Sequence, residues 1–312
     1  MNNLLTIAIP TRNRDKYLIE TVDSIIKQIE FKNIQIIICN NSDIKNSIIK
    51  DKYLEYKNIK YIENEELLSI DDNMIKVASF VNSKYFLWLG DDDFIIENGL
   101  SKILKIISFN DYDFILLNAT MVSEQLDKKI AQTMNIDTDE VYSQPKDFFL
   151  KHCFHMPFGT LIVKKELYDS VLDENQRFKG TSHAYSGLVF DYLAKKYLIS
   201  KNVDILVVKK ELIQLRQIEK SWKNNATKIM FKEIPEWFLL LDDYYDYERK
   251  KILIKYIKSQ FRIKNLLIHK IKSQLSLHNF KDNTMYSSLL QKIKYVLIGI
   301  LPINNLKRKI DK

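Results

Sequence analysis

The chain has 312 residues, 46% of them hydrophobic and 28% charged, which is enough apolar material for a sizeable core and excludes a globally disordered protein. Its six glycines, five prolines and two cysteines exclude collagen-like, low-complexity and disulfide-framework proteins, and they favour a reducing compartment. The formal net charge is +8, but only seven of the 48 basic residues are arginines, so we expect no nucleic acid partner.

The first 120 residues alternate between short apolar runs and segments with helical spacing. The apolar runs predict buried strands at 4–9, 34–39, 59–62, 85–89 and 114–118. The segments between them predict helices at 15–28, 45–56, 70–81 and 97–107. Strands separated by helices of this length form right-handed β-α-β units. The sequence therefore predicts an α/β fold with a mostly parallel sheet and helices on both faces.

The alternation of strands and helices becomes less regular after residue 120. Residues 121–141 predict a polar loop or an antiparallel pair of strands. Further strands at 159–163 and 203–208 accompany helices at 165–171 and 180–197, and the spacing is helical from about residue 221 to the end. We therefore predict a domain at 1–220, with halves at 1–118 and 119–220, followed by a helical region at 221–312.

Polar residues follow three of the predicted strands at their carboxyl ends, where open parallel sheets bind ligands. They are Pro10, Thr11, Arg12, Asn13 and Arg14, then Asn40, Asn41, Ser42 and Asp43, and finally Gly90, Asp91, Asp92 and Asp93. Three consecutive aspartates repel one another, and Mg²⁺ or Mn²⁺, which prefers carboxylate and phosphate oxygens, relieves that repulsion. A solvated acidic turn is the alternative interpretation.

These three segments, in this order and at these spacings, resemble a family 2 glycosyltransferase with the GT-A (Rossmann-like) fold, of the bacterial surface-polysaccharide type. The resemblance rests on IPTRNR at 9–14, IIICNNS at 36–42 and YFLWLGDDD at 85–93, and it covers about a third of the chain strongly. It implies a nucleotide-sugar donor bound by residues 1–118 and a glycan acceptor bound by residues 119–220. It also implies a divalent metal and inversion at the anomeric carbon.

The resemblance also implies roles for particular residues. The donor-binding residues are Pro10, Thr11, Asn13, Arg14, Asn40, Asn41, Asn73, Asp91 and Asp92, and the metal ligands are Asp91, Asp92 and Asp93. The chain departs from the family pattern at three places. Asn40 stands where the family has an acidic residue against the base, Asp72 replaces an arginine that often precedes Asn73, and the aspartate run is GDDD instead of DxDD. The nucleotide and the principal metal ligand therefore stay open.

An inverting transfer needs a general base near the acceptor hydroxyl. In family 2 glycosyltransferases, which the chain resembles, this base is an acidic residue in the second half of the domain. The expected Glu-Asp pair is missing from residues 180–187. His183 lies there in a polar loop between two glycines and titrates near neutral pH, so it is one candidate catalytic residue. Asp191, about two turns into the predicted helix, is the other. A structural or surface role is the alternative for each.

The basic residues concentrate at the C-terminus, where residues 248–312 hold 16 basic and three acidic side chains, a net charge of +13. The apolar run at 295–301 is shorter than the ~20 residues that span a bilayer, but with its flanking lysines and the basic run at 307–309 it fits a helix lying in a membrane surface. An ordinary packing helix is the alternative. With no signal-like N-terminal segment, we expect a cytoplasmic protein, peripheral on the inner face of the cytoplasmic membrane, with a lipid-linked oligosaccharide acceptor.

Two other functions stay open at this point. A nucleotidyltransferase has a similar topology and acidic metal sites, but it would need a glycine-rich phosphate loop after the first strand, and residues 10–14 contain no glycine. A non-enzymatic, basic membrane- or nucleic-acid-binding protein would leave the three polar strand ends without a purpose.

Overall fold

The computed structural model describes residues 4–44, 48–218, 226–271, 275, 277 and 280–300. The chain divides into two compact units. The first unit comprises Met1–Gln176 and Leu188–Ile218, and the second comprises Arg177–Gly187 and Glu219–Lys312. The sequence places residues 177–187 in its predicted domain at 1–220, whereas these residues lie in the second compact unit.

The first unit is built on one sheet. Its strands in chain order are β1 (Leu5–Thr11), β2 (Gln35–Asn40), β3 (Ile59–Glu63), β4 (Tyr85–Trp88), β5 (Phe94–Ile95), β6 (Phe114–Ser123), β7 (Lys129–Gln132), β8 (Glu140–Tyr142), β9 (Leu161–Lys164) and β10 (Ile205–Gln217). Among the described residues the strand order is β3-β2-β1-β4-β9-β6-β10-β5, with β7 beside β6 and β8 beside β10.

Seven helices accompany this sheet in the described part of the chain. They are α1 (Asp15–Ile26), α2 (Ile48–Tyr53), α3 (Ile70–Ser79), α4 (Gly99–Phe109), α5 (Pro145–His152), α6 (Lys165–Asp169) and α7 (Ala184–Ser200). The last of these begins in the second unit and continues in the first. Residues 45–47, the start of the helix predicted at 45–56, lie outside the described residues.

The α/β class is confirmed, and the sheet is parallel where the sequence predicts β-α-β units. β1 pairs in parallel with β2 and β4, and β2 pairs in parallel with β3. β6 and β10 are also parallel, whereas β9 is antiparallel to both β4 and β6. β5, β7 and β8 are antiparallel to their partners. The whole sheet is therefore mixed. Antiparallel neighbours need no helical crossover between them, which agrees with the weaker helical spacing after residue 120.

The core lies on both faces of the sheet, because successive side chains of a strand point to opposite sides. On one face, strand residues such as Ile7 and Leu87 pack with the apolar faces of α1, α2 and α4. On the other face, Trp88 makes edge contacts with Phe86 and Tyr168 and donates a hydrogen bond from Nε1 to the Met74 carbonyl of α3. Helices therefore cover both faces, which confirms that part of the sequence prediction.

The largest difference in strand length concerns β10, which was predicted at 203–208 and extends to Gln217. The charged residues Lys209, Lys210 and Glu211 interrupt its apolar run, and the register with β6 shifts at this point. A bulge lets the strand resume its pairing with β6 beyond the charges. The extension brings Arg216 to the same edge of the sheet as the end of β1. For residues 121–141 the end of β6 and β7 form the predicted antiparallel pair, whereas β8 pairs with β10.

The second unit is helical in its described residues, as predicted. Its helices are α8 (Ala226–Lys228), α9 (Ile234–Leu240), α10 (Asp246–Gln260), α11 (Ile263–Ile271), α12 (Phe280–Asn283) and α13 (Leu289–Gly299), with a π-helical turn at Ile229–Glu233. A small core contains Phe231 of the π-helical turn, Phe261 at the end of α10, Leu266 of α11, and Tyr295 and Ile298 of α13. Within the part of the chain that the structure describes, none of the helices combines the length and apolarity needed to cross a bilayer. The basic run at 307–309 falls outside that part.

We expect the substitution Gly187→Ala to destabilise the second unit. A Cβ at Gly187, in the first turn of α7, would lie 2.7 Å from the ring of Phe178, which is fully buried and has no room to move. Helix propensity alone would favour alanine by about 1 kcal/mol, but overpacking of this kind costs about 1–3 kcal/mol. The urea midpoint of the circular dichroism signal should therefore fall.

The matched control is Gly180→Asn. A Cβ at Gly180 meets no atom within 4 Å, and asparagine tolerates the positive φ of +81° found there. The control should stay close to the wild-type midpoint, and equal midpoints for both variants would contradict the predicted clash.

Candidate active site

The site is centred on the carboxylate of Asp91, in the turn that follows β4. Thr11, the last residue of β1, donates a hydrogen bond from Oγ1 to Asp91 Oδ2 at 2.7 Å. Arg14 donates from Nη1 to Oδ1 at 3.0 Å, and Thr21 of α1 donates to the Asp91 main-chain carbonyl at 3.0 Å. The parallel pairing of β1 with β4 brings these groups together, because it aligns the carboxyl ends of the two strands.

Burial and the arginine act on the Asp91 carboxyl in opposite directions. Burial raises its pKa to about 6, because a charged carboxylate is poorly solvated there, while Arg14 and Thr11 partly counter this rise. Burial also tends to lower the pKa of Arg14, but the neighbouring aspartates outweigh it and raise that pKa overall. Near neutral pH the edge of the sheet therefore carries a fixed guanidinium beside a carboxylate that gains a proton readily.

Asp93 connects the same turn to β10. Its Oδ1 accepts a hydrogen bond from the Arg216 main-chain nitrogen at 3.1 Å. A Cβ at Gly159, whose φ is +97°, would come within 3.0 Å of Asp93 Oδ2, and a Cβ at Gly90 would come closer still. Both glycines are therefore needed to make room for this carboxylate.

Asp92 differs from its two neighbours in its environment. Its side chain is 15% exposed, against 8% for Asp91, and its carboxylate lies 3.5 Å from Arg14 Nη1. Among the described residues, no group of three His, Cys, Asp or Glu side chains is placed to hold a metal ion. The partly exposed carboxylate of Asp92 has the oxygen chemistry that Mg²⁺ and Mn²⁺ prefer, and such ions commonly take only one or two carboxylates from a protein.

The loops after β1 and β2 are joined by Asn13. Its Nδ2 donates to Asp43 Oδ2 at 2.5 Å, its Oδ1 accepts from the Asp43 main-chain nitrogen at 3.0 Å, and its own main-chain nitrogen donates to Ser42 Oγ at 2.8 Å. Asn13 has a φ of +57°, a conformation that asparagine tolerates better than most residues. The hydrogen bond from Asn13, with help from Arg12, lowers the pKa of Asp43.

Asn40 is buried, and both ends of its amide are engaged within the protein. Nδ2 donates to the Tyr61 hydroxyl at 2.8 Å, and Oδ1 accepts from the Ser42 nitrogen at 3.0 Å and from Ser42 Oγ at 2.6 Å. Tyr61, in β3, was not predicted as a site residue. Its hydroxyl accepts from Asn40 and still has a hydrogen of its own to donate.

Asn41 and Asn73 lie in the interior behind this edge, where Asn64 links them. Asn64 Nδ2 donates to the side-chain oxygens of both, at 3.0 and 2.9 Å. Asn41 also pairs with the nitrogen and the carbonyl of Leu68, each at 2.9 Å, while Asn73 donates to the Cys39 carbonyl at 3.2 Å. These amides hold the chain after β3 against the end of β2. Asn64 was missed in the sequence, where it is one polar residue in a polar segment.

Arg216 is a third site residue that the sequence did not predict. Its guanidinium pairs with Glu20 at 2.6 Å and lies over the rings of Tyr17 and Phe94, at 5.0 and 4.7 Å from their centroids. A usable signal did exist in the composition. Arginine is scarce in this lysine-rich chain, and three of its seven arginines, Arg12, Arg14 and Arg216, are grouped at this edge.

His183, the first candidate base, belongs to the second unit. Its Nδ1 lies 3.1 Å from the Thr181 carbonyl, which can only accept, so Nδ1 carries the hydrogen and Nε2 carries the lone pair. Burial lowers the pKa of His183, and its ring packs against those of Tyr185 and Trp237. The imidazole is therefore neutral near pH 7, with Nε2 in the form that accepts a proton.

Glu233 joins the loop of His183 from within the same unit. It accepts a hydrogen bond from Ser182 Oγ at 2.7 Å and pairs with Lys228 at 2.8 Å. Ser182 has a φ of +59°, so this bond holds an unusual backbone conformation next to His183. The separation of 51 residues kept Glu233 out of the sequence prediction. Asp191, the second candidate base, is buried in the part of α7 that belongs to the first unit.

A family comparison bears directly on these strand-end residues. Residues 6–172, more than half of the chain, match the model described as glycosyl transferase family 2. The chain belongs to this family. The protein is therefore a glycosyltransferase, which removes the nucleotidyltransferase and the non-enzymatic binding protein as alternatives.

Similar proteins agree with this assignment. Glycosyltransferase GlyG of Streptococcus pneumoniae is 26% identical over 77% of this chain and 82% of its own length. Abequosyltransferase RfbV of Salmonella typhimurium is 25% identical over 64% of this chain and 66% of its own length. The crystal structure of S. aureus TarS 1-349 in complex with UDP-GlcNAc matches all of this chain and 92% of its own, with a TM-score of 0.60 at 15% identity, which shows a shared fold.

We expect Arg14→Ala to lower the free energy of unfolding by about 1–3 kcal/mol, because a buried carboxylate loses its charged partner. The folded-state pKa of Asp91, about 6, lies above the ordinary 3.8, so the stability linked to this group is full below about pH 4 and is lost as the pH rises through 6. Removing Arg14 raises that pKa further. The deficit, measured by urea unfolding in chelator, should therefore be larger at pH 8 than at pH 5.

Arg12→Ala is the matched control. Arg12 pairs at 3.0 Å with Asp43, and both side chains are about half exposed. An exposed pair of this kind contributes about 1 kcal/mol at most. Equal losses for the two variants, or a deficit in Arg14→Ala that does not change with pH, would contradict the role assigned to the buried carboxylate.

Proposed function

We propose that this glycosyltransferase transfers a sugar from a nucleotide-sugar donor to a glycan acceptor, with inversion at the anomeric carbon. The observation that carries the proposal is the grouping of Thr11, Arg14 and Asp91 at the carboxyl edge of the parallel strands. At this edge the Arg14 guanidinium could pair with a diphosphate, and an aspartate could bind a divalent metal ion. Ligands of open α/β sheets bind at the same edge. The UDP-GlcNAc carried by S. aureus TarS supports a donor of this class.

The nucleoside would lie along the ends of β1 and β2. Pro10, Thr11 and Asn13 are the proposed contacts on the first strand. On the second strand, Asn40 is the proposed base contact, and because its amide is engaged by Ser42, the hydroxyl of Tyr61 would offer the hydrogen-bond donor. Asn41 and Asn73 would not contact the nucleoside directly; their hydrogen bonds would hold the end of β2 in place for it.

A Mg²⁺ or Mn²⁺ ion is part of the proposal. Of the three aspartates, Asp92 would be its main protein ligand, because its side chain is 15% exposed whereas Asp91 and Asp93 are buried. The ion would stabilise the negative charge on the departing nucleoside diphosphate. Arg14 would add a fixed positive charge for the same purpose.

The proposed general base is His183. Its Nε2 would take the proton of the acceptor hydroxyl while the hydroxyl oxygen attacks the anomeric carbon and the nucleoside diphosphate leaves from the opposite face. The hydrogen bond to Thr181 supports this role, because it directs the lone pair to Nε2, and burial favours the neutral ring. Asp191 stays the alternative base.

The proposed acceptor is a lipid-linked oligosaccharide in the synthesis of a bacterial surface glycan. The enzyme would then work as a cytoplasmic, peripheral protein at the inner face of the cytoplasmic membrane. The net charge of +13 in residues 248–312 supports this location, because anionic lipids attract juxtamembrane lysines.

Asp92→Asn should abolish transfer while the fold is retained, because a half-buried carboxylate at a strand end adds little stability. The test is a thermal-shift series with UDP, with and without Mn²⁺, together with a transfer assay. The melting temperature of the wild type should rise only when UDP and Mn²⁺ are present together, because ligands that bind the native state stabilise it.

The control for this variant is Asp51→Asn, which changes an exposed aspartate of α2. It should leave both the thermal shift and the transfer assay unchanged. Full activity of Asp92→Asn in chelator would refute metal assistance through this residue.

His183→Ala should lower kcat by roughly 10²–10⁴-fold while the KM for the donor stays the same, because a general base acts on the acceptor. In the wild type, kcat should fall only below the ordinary histidine pKa of 6.5, because burial lowers the pKa of His183. If Asp191→Asn produces this loss and His183→Ala does not, the order of the two candidates is reversed.

A further inference from the structure

Helix α13 is anchored on one side. Tyr295 and Ile298 are buried in the core of the second unit, and the Tyr295 hydroxyl accepts a hydrogen bond from Asn283 at 2.8 Å. Ser288 and Gln291 form a capping box at the start of the helix, and Lys270 donates to the Gly299 carbonyl at 2.6 Å near its end. These contacts fix which face of α13 points away from the core.

The outward face of α13 is apolar. It presents an apolar stripe of six side chains whose exposed fractions run from 37% to 75%. They are Leu289, Leu290, Ile293, Val296, Leu297 and Ile300. At 100° per residue these positions fall within an arc of about 120°, opposite Tyr295 and Ile298. Single exposed apolar residues are ordinary, but a continuous stripe on an anchored helix marks an interaction surface.

Lysines border the apolar stripe on both sides. The helical spacing places Lys292 about 40° beyond one edge of the arc and Lys294 about 40° beyond the other. Both lysines are half-buried, and a lysine stem can cover apolar surface while its ammonium group stays in water. No acidic residue occurs between Asp282 and Asp311. An apolar stripe with a lysine at each edge is the arrangement of a helix that lies in the surface of a membrane.

We propose that α13 binds anionic membrane surfaces, with the apolar stripe entering the interface and Lys292 and Lys294 contacting the headgroups. This inference deepens the proposed function, whose acceptor is lipid-linked, by naming the surface that would bring the enzyme to the lipid. The charge pattern selects the occupant. A protein partner or a second copy would need acidic groups to match the lysines, whereas anionic lipids supply negative charge everywhere on the surface.

The test is sedimentation of the full-length protein with vesicles, made either of phosphatidylcholine alone or of phosphatidylcholine with phosphatidylglycerol. Binding should require phosphatidylglycerol and should weaken at high salt, because salt screens the headgroup contacts. The triple variant Leu290→Gln, Ile293→Gln and Leu297→Gln should lower vesicle partitioning at least about 100-fold, since each inserted side chain contributes about tenfold. Glutamine is as good a helix former as leucine, so α13 should persist.

Two further variants sharpen the experiment. Ile254→Gln with Ile263→Gln removes two equally exposed isoleucines from α10 and α11 and should leave binding unchanged. Lys292→Gln with Lys294→Gln keeps the apolar stripe, and it should weaken binding to phosphatidylglycerol and reduce its salt dependence. Circular dichroism and melting temperature verify that each variant is folded.

Wild-type binding by the triple variant, or no binding by the intact protein, would overturn the proposal. Self-association that the triple variant abolishes, without vesicle binding, would make the apolar stripe a dimer surface and would also overturn it. Donor hydrolysis without acceptor is measured in parallel. If the wild type binds vesicles but does not hydrolyse the donor, the result counts against the proposed function alone. If it hydrolyses the donor but does not bind vesicles, the result counts against the membrane surface alone.

Discussion

The burial of one carboxylate, that of Asp91, constrains the edge of the sheet around it. A charged carboxylate taken out of water is costly unless hydrogen bonds and an opposite charge replace the lost solvation. Thr11 and Arg14 supply both, and they can do so only because β1 and β4 are parallel neighbours with aligned carboxyl ends. The same parallel pairing brings the loops after β1 and β2 together, so the loop of Asn13 also faces this edge.

Three adjacent aspartates illustrate how environment separates identical side chains. Asp91 is neutralised by an arginine, and Asp93 is bound by a main-chain nitrogen of β10 and surrounded by glycines. Asp92 is the more exposed neighbour of Asp91 and lies at the longer distance from Arg14. The sequence names all three as metal ligands and leaves the principal one open. Of the three carboxylates, Asp92 is therefore the one that the protein does not bury.

In the second unit, too, hydrogen bonds and burial decide what individual side chains can do. The main-chain carbonyl of Thr181 fixes the tautomer of His183, and Glu233 holds the adjacent Ser182 in a positive-φ conformation. In α13, one face is bound by Tyr295 and Ile298 while the other stays apolar and exposed. The core of the second unit uses only one side of this helix, and the opposite side, with Lys292 and Lys294 at its edges, is the proposed membrane surface.

The sequence by itself determined the α/β class, the positions along the chain of the first five predicted strands, the three polar strand ends and the helical C-terminal region. These features are local: the period of hydrophobic residues and the polar groups that end each strand are readable along the chain. Only the tertiary structure decided the antiparallel strands after residue 120, the hydrogen bond from the Arg216 nitrogen to Asp93, the Asn64 network and the Ser182–Glu233 bond. These depend on contacts between residues far apart in the chain, and no local period records which distant donor meets a buried acceptor.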